Sequence, residues 1–261
     1  VVLDADAAAV YKAFLEANRP PYENGTPAEA REMYLAARFA TNPEPPELES
    51  AKPLSIPAPH GSIPARIYTP KKLRKKDGLA PCLVFLHGGG FVIGNLDSHD
   101  VVCRKLAHEG EIIVISVDYR LAPEHKFPAA PEDAIAATKW VADNARQLGV
   151  DAARIVVGGD SAGGNLAAVT AIALRESGPK LAGQLLIYPS TDFRMNHPSH
   201  SEPETSILLT HSVIKWFIDH YMAVFGGHRY VDFRGKTPEA DFGSEPFASV
   251  ETLEAPLPFV L

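Results

Sequence analysis

Cysteine is scarce in this chain, with only Cys82 and Cys103 among 261 residues. Two thiols, one in an apolar run and one in a helical pattern, make neither a disulfide framework nor a metal spacing, so both read as reduced packing residues. None of the ten histidines is spaced for a metal, and no cofactor is called for. Long apolar runs are missing too. None approaches the ~20 residues of a membrane span. The start, Val1-Val2-Leu3-Asp4-Ala5-Asp6, lacks the basic opening and apolar centre of a signal peptide. The expected location is therefore the cytoplasm, and the non-methionine first residue leads us to expect N-terminal trimming. Blocks of one charge are equally rare: a net charge of −7 is spread along the chain, which disfavours nucleic acid or an anionic membrane as partner. The basic run Lys71-Lys72-Leu73-Arg74-Lys75-Lys76 reads as a solvated turn. There are no internal repeats.

What is present is an ordinary globular composition, 46% hydrophobic and 22% charged, long enough for one α/β domain with a small appendage. Two helices come first. Residues Ala5 to Asn18 place Val10, Tyr11, Phe14 and Leu15 on one face, with Pro20-Pro21 as the stop. A capping box, Thr26-Pro27-Ala28-Glu29, opens a second helix that runs to about Ala40. After a Pro-rich linker, Pro43-Glu44-Pro45-Pro46, strands are expected near Leu54–Pro57 and Ala65–Tyr68. Cys82–Leu86, Ile112–Val117, Ile155–Val157 and Leu185–Ile187 are apolar without alternation, as strands covered on both faces are. Helical patterns over Ser98–Glu109, Pro131–Leu148 and Ala162–Ser177 alternate with them, which predicts a mostly parallel sheet with helices on both faces. After Tyr188-Pro189 a polar stretch leads to a helix from about Thr210 whose stripe includes Ile214, Phe217, Ile218, Tyr221, Met222 and Phe225. Residues 226–247 read as a long surface loop.

Two stretches carry chemistry. Gly159-Asp160-Ser161-Ala162-Gly163 lies directly between an apolar strand and a helix. A bare G-x-S-x-G is weak, since small residues suit any tight turn. Strand before and helix after give the arrangement that lifts a serine hydroxyl clear of the backbone, with the serine expected at positive φ. His87-Gly88-Gly89-Gly90-Phe91 follows another strand. Consecutive glycines there expose N–H groups, which suits an oxyanion hole built from Gly88, Gly89 and the Ala162 N–H. A flexible turn is the bland alternative, and the occurrence of both motifs in order argues against it. On this reading Gly89→Val lowers kcat far more than stability.

Together with Asp118-Tyr119-Arg120-Leu121-Ala122-Pro123-Glu124, Phe127-Pro128-Ala129-Ala130, Gly164-Asn165 and Tyr188-Pro189, these motifs resemble the hormone-sensitive-lipase-like (family IV) esterases of the α/β-hydrolase fold over about residues 45 to 225. The resemblance implies hydrolysis of short-chain carboxylic esters under a helical cap, with Ser161 as nucleophile. It also implies His87 and Asp160 as supports of the loop geometry. Tyr119, Arg120 and Glu124 are expected to pin the turn after the fourth strand. The cap is expected from residues 1–45 and 190–235, and the core from 46–189 and 236–261.

The family places its triad acid after the seventh strand and its histidine after the eighth, whereas here Ala255-Pro256-Leu257-Pro258-Phe259-Val260-Leu261 reads as the seventh strand itself. The triad Asp and His are thus expected to be absent from these 261 residues, with a C-terminal segment or a second chain completing the sheet at Leu257, Phe259 and Leu261. Asp192, His197, His200, His211, Asp219, His220 and His228 fall in the cap or its loops and do not fit the family's order. On that basis no imidazole is expected beside Ser161. The expected partner is a small ester. A catalytically silent binder of small molecules on the same fold, or an interaction protein docking through its open sheet edge, stands as the alternative.

Overall fold

The structure is a computed structural model that describes residues 3–193, 195, 198–200, 209–222, 224–225 and 228–229. The expected strand at 255–261, the loop at 230–247, the domain segment 236–261 and His197 lie outside the described residues. The elements follow in the order α1 (Ala5–Glu16), α2 (Pro27–Thr41), β1 (Ser50–Ala58), β2 (Gly61–Thr69), β3 (Ala80–Leu86), α3 (Asp100–Gly110), β4 (Ile113–Val117), α4 (Ala129–Asp143), β5 (Val150–Asp160), α5 (Ala162–Leu174), β6 (Gly183–Ile187) and α6 (His211–Tyr221). A two-residue ribbon, Val224–Phe225 with His228–Arg229, follows α6.

Six strands form one sheet in the order β1-β2-β4-β3-β5-β6. β1 and β2 make an antiparallel hairpin that joins β4 antiparallel, while β4, β3, β5 and β6 run parallel. All of β4 and nearly all of β3 is buried, as unalternating apolar runs require. Odd and even residues of β3 face opposite layers: Leu83 and Phe85 pack towards Cys103 and Ala107 of α3, while Val84 and Leu86 join the larger core that includes Ala134 and Ala137 of α4 and Leu166 of α5. Cys82 and Cys103 are both free and buried.

The helices differ from expectation at their ends. α1 stops at Glu16, before the prolines, because Asn18 takes the left-handed conformation at φ 43°. Its apolar face is bare, with Val10, Phe14 and Leu15 all exposed. α2 has the full Thr26–Glu29 capping box. It is tied to the core by Arg31, which donates to the carbonyls of Val92 and Ala122 at 2.8 Å and forks onto both oxygens of Glu124 at 2.8 and 2.6 Å. α6 buries Phe217, Ile218 and Tyr221 as its pattern predicts, and Val213 as well, while Ile214 is half-buried; the helix ends at Tyr221, where Met222 turns to extended backbone. Lys126 Nζ donates to the Asp219 and Met222 carbonyls there, a cation at a helix C-terminus. α1 and α2 come before the sheet and α6 after it. Ser212 of α6 donates to Glu23, and the rings of Tyr22 and Phe217 lie 6.4 Å apart, so the segment between α1 and α2 meets α6. Among the described residues no helix is long and apolar enough to cross a membrane.

Candidate active site

The elbow forms as its sequence requires. β5 ends at Asp160, α5 starts at Ala162, and Ser161 between them sits at φ 54°, ψ −115°. Such a conformation costs ~1–3 kcal/mol and persists only where its surroundings fix it. Here the Ser161 N–H donates to the Ile187 carbonyl at 2.9 Å, and the Ser161 carbonyl accepts from the N–H groups of Asn165 and Ser190 at 3.0 and 3.1 Å. The glycines provide clearance: a Cβ at Gly159 or at Gly163 would overlap the Leu86 carbonyl oxygen.

The glycine loop after β3 stands beside the elbow. His87 is wholly buried, stacked on Tyr119 at 4.3 Å and 16°, with Nδ1 2.8 Å from the Gly88 carbonyl. Burial first, and then the neighbouring His99, push its pKa down to about 3, so the ring is neutral at ordinary pH. The Tyr119 hydroxyl donates to the His87 carbonyl at 2.7 Å. Asp160 points into the loop, where its Oδ1 accepts the Gly88 N–H at 2.9 Å. The expectation that Gly88 is an oxyanion donor is therefore amended, since its N–H is occupied by Asp160. The N–H groups of Gly89 and Ala162 have no acceptor among the described residues, and Ala162 opens α5, where the helix dipole favours negative charge.

A cavity of 310 Å³ opens over Ser161. Gly90, Phe91, Ala162 and Tyr188 line it from the core, and Ile214, Phe217, Ile218 and Tyr221 of α6 roof it with apolar side chains. Phe91 stacks on Tyr221 at 4.0 Å, and the Phe217 ring occupies the place where a Cβ on Gly90 would be. Sequence reasoning found Ser161, the glycines and the α6 stripe. It missed Tyr188 and Phe91 as lining residues, although each belongs to a motif it had used. His200 lines the same cavity. Even so, no hydrogen bond joins the Ser161 hydroxyl to any described residue. Asp219 pairs with Lys215 and His220 Nδ1 meets the Trp216 carbonyl, so neither Asp219 nor His220 reaches Ser161 through a recorded bond. His228 lies in the short ribbon. Tyr119, Arg120 and Glu124 do pin the turn after β4: Arg120 is held by Asp133 and Glu124 by Arg31. No group of three or more metal-ligating side chains is found among the described residues.

A family model described as alpha/beta hydrolase fold matches residues 83–245. The esterase LipI of Mycobacterium tuberculosis is 48% identical over 180 residues, which are 69% of this chain and 56% of LipI. An ethyl acetate hydrolase of Pseudomonas putida is 39% identical over 203 residues, 75% of this chain and 62% of that protein. The chain thus spans little more than half the length of these relatives. Among solved structures, the ester hydrolase EH1AB1 from the metagenome of Lake Arreo, complexed with a derivative of bipyridine phosphonate, superposes with a TM-score of 0.79 at 38% identity, over 89% of this chain and 73% of that one. With the elbow, the glycine loop and the sheet order in place, this chain belongs to the α/β-hydrolase fold family, in its hormone-sensitive-lipase-like group.

Proposed function

We propose that the protein hydrolyses short-chain carboxylic esters through an acyl-enzyme on Ser161. The observation that carries this reading is the placement of Ser161, at strained positive φ beneath a 310 Å³ apolar cavity, beside two N–H groups with no acceptor among the described residues, those of Gly89 and Ala162. Ser161 Oγ adds to the ester carbonyl carbon, the carbonyl oxygen takes the negative charge against these two N–H groups, and collapse expels the alcohol. Water then attacks the acyl-enzyme, releases the carboxylic acid and returns the serine. Each N–H donor is worth ~3 kcal/mol in the transition state. The modest cavity, and a relative that acts on ethyl acetate, favour short acyl chains. By the resemblance, the proton acceptor is a histidine later in the chain than an acid that orients it.

The test is steady-state hydrolysis of p-nitrophenyl butyrate by the full chain and by Ser161→Ala, alongside labelling with a fluorophosphonate. The wild type should turn over and label, and the variant should do neither, with kcat lower by about 10⁴-fold or more. Wild-type turnover in Ser161→Ala, or labelling at another residue, would refute the nucleophile. Slow labelling of Ser161 without turnover would favour the silent binder instead.

A further inference from the structure

Asp160 is a buried carboxylate with an unusual neighbour. Among the described residues no Lys or Arg pairs with it, and the only ion-pair contact recorded for it is with His99. His99 follows the glycine loop and immediately precedes α3, and it is 1% exposed. Its ring lies 5.4 Å from that of His87 and 6.2 Å from those of Phe85 and Tyr34, which fixes its plane by packing. Nδ1 lies 2.9 Å from Ser98 Oγ, and Ser98 is tied in turn to the Asn95 backbone. Nε2 faces Asp160 Oδ1 at 3.4 Å and has no other polar partner among the described residues. The same Oδ1 accepts the Gly88 N–H.

His87 cannot serve instead, because its Nδ1 is committed to the Gly88 carbonyl and its deep burial keeps it neutral. Burial alone would raise the Asp160 carboxyl, yet His99 and the Gly88 N–H outweigh it and hold the group below its ordinary value. His99 is thus the side chain that meets Asp160 from behind the elbow, one residue from the nucleophile.

We propose that His99 is a positioning residue of the ester-hydrolysis site: from behind the elbow it holds Asp160 in place, which in turn clamps Gly88 so that the Gly89 N–H points at the developing oxyanion. The inference rests on the ester-hydrolase reading. Without His99, Asp160 loses the side chain packed behind its carboxylate, and its hold on the Gly88 N–H loosens. That consequence falls on the transition state, where charge develops, and spares the neutral ground state. The loss should therefore appear in kcat and leave KM nearly unchanged.

The experiment compares full-length wild type, His99→Leu, His99→Gln and His99→Asn by kcat and KM for p-nitrophenyl butyrate, fluorophosphonate labelling of Ser161, and thermal midpoint. Direct loss of an oxyanion donor costs about 100- to 1,000-fold, so an indirect loss at His99→Leu should be about 10- to 100-fold in kcat with KM within about threefold. A glutamine amide reaches towards Asp160 where an asparagine amide is too short. His99→Gln should therefore exceed His99→Asn by about fivefold or more in kcat and labelling rate, a comparison that stands even if the leucine variant fails to fold. Equal rates for Gln and Asn, or a leucine variant within twofold of wild type, would overturn the proposal. A wild type that neither turns over nor labels would instead overturn the ester-hydrolase reading, and this inference with it.

Discussion

Replacing Gly89 by alanine separates two demands on one residue. Gly89 has φ 123°, and a Cβ there would lie under 3.0 Å from the Ile93 carbonyl oxygen, a backbone atom that cannot swing aside. Gly61, the first residue of β2, has φ 129° and nothing within 4 Å of the same hypothetical Cβ. Gly61→Ala therefore reports the strain of the positive φ alone, ~1–3 kcal/mol. Gly89→Ala bears the same strain plus the collision, for which overpacking costs a further ~1–3 kcal/mol. At a urea slope of ~2–3 kcal/mol/M, Gly61→Ala should lower the unfolding midpoint by about 0.5–1 M, and Gly89→Ala by about 0.5–1 M more. The sequence alone led to the opposite expectation, that a side chain at Gly89 harms turnover far more than stability. The Ile93 carbonyl corrects it, since the glycine is needed for folding as well as for the oxyanion. Urea unfolding followed by far-UV circular dichroism measures both variants. A midpoint for Gly89→Ala equal to that of Gly61→Ala, with turnover nevertheless lost, would refute the collision and restore the purely catalytic account.

Two pH dependences follow from groups away from Ser161. Asp118 is mostly buried, and desolvation raises its pKa from 3.8 to about 6, so above pH 6 the folded state bears an ionised carboxylate it disfavours, at a cost of ~1–3 kcal/mol that fades as pH falls from 6 to 3.8. Asp118→Asn should hence raise the thermal midpoint at pH 8 and give no gain at pH 4, whereas an equal gain at both would show that charge is not the cause. Glu124 is held at about 2 by its bond to Arg31, so its ion pair stabilises the fold above 4.5 and is lost as pH falls towards 2. With half of the Glu124 side chain exposed, that contribution is below ~1 kcal/mol. Arg31 also donates to two backbone carbonyls independently of pH, so Arg31→Met should keep most of its stability deficit at pH 3. A deficit that falls there to about two-fifths of its value at pH 7 would make the ion pair the whole contribution.

The parts legible in the sequence were those with local causes. Unalternating apolar runs marked β3 and β4, the Thr26–Glu29 box marked the start of α2, and the glycine spacing marked the elbow and its neighbour. What escaped depends on contacts distant in the chain or on single backbone angles. The positive φ of Asn18 ended α1 before the prolines, a stop that asparagine's tolerance of the left-handed region allows but does not require. β5 extends back to Val150 because Val150 pairs with Ala80 across a register shift, although Asp151 and Arg154 give that segment no strand-like pattern. The Arg31–Glu124 fork joins residues 93 positions apart. His99 is a polar residue in a loop segment, and only the layering of α2, β3 and the glycine loop around it reveals its burial.

The elbow and the glycine loop are one unit, held by the ends of β3, β4, β5 and β6. The Leu86 carbonyl leaves no room for a side chain at Gly159 or Gly163, so the end of β3 sets how closely α5 approaches β5. Tyr119, just beyond β4, fixes the His87 carbonyl, and Asp160, the last residue of β5, fixes the Gly88 N–H. The Ile187 carbonyl at the end of β6 fixes the Ser161 N–H. A buried backbone group normally finds a partner. Once these bonds are counted, the N–H groups of Gly89, Gly90 and Ala162 are left with no acceptor among the described residues. Their desolvation is offset only when negative charge appears between them, and in ester hydrolysis that charge appears in the transition state. The strain at Ser161 and the orphaned donors are thus two costs of the same device, and both are met by the rigid strand ends that surround it.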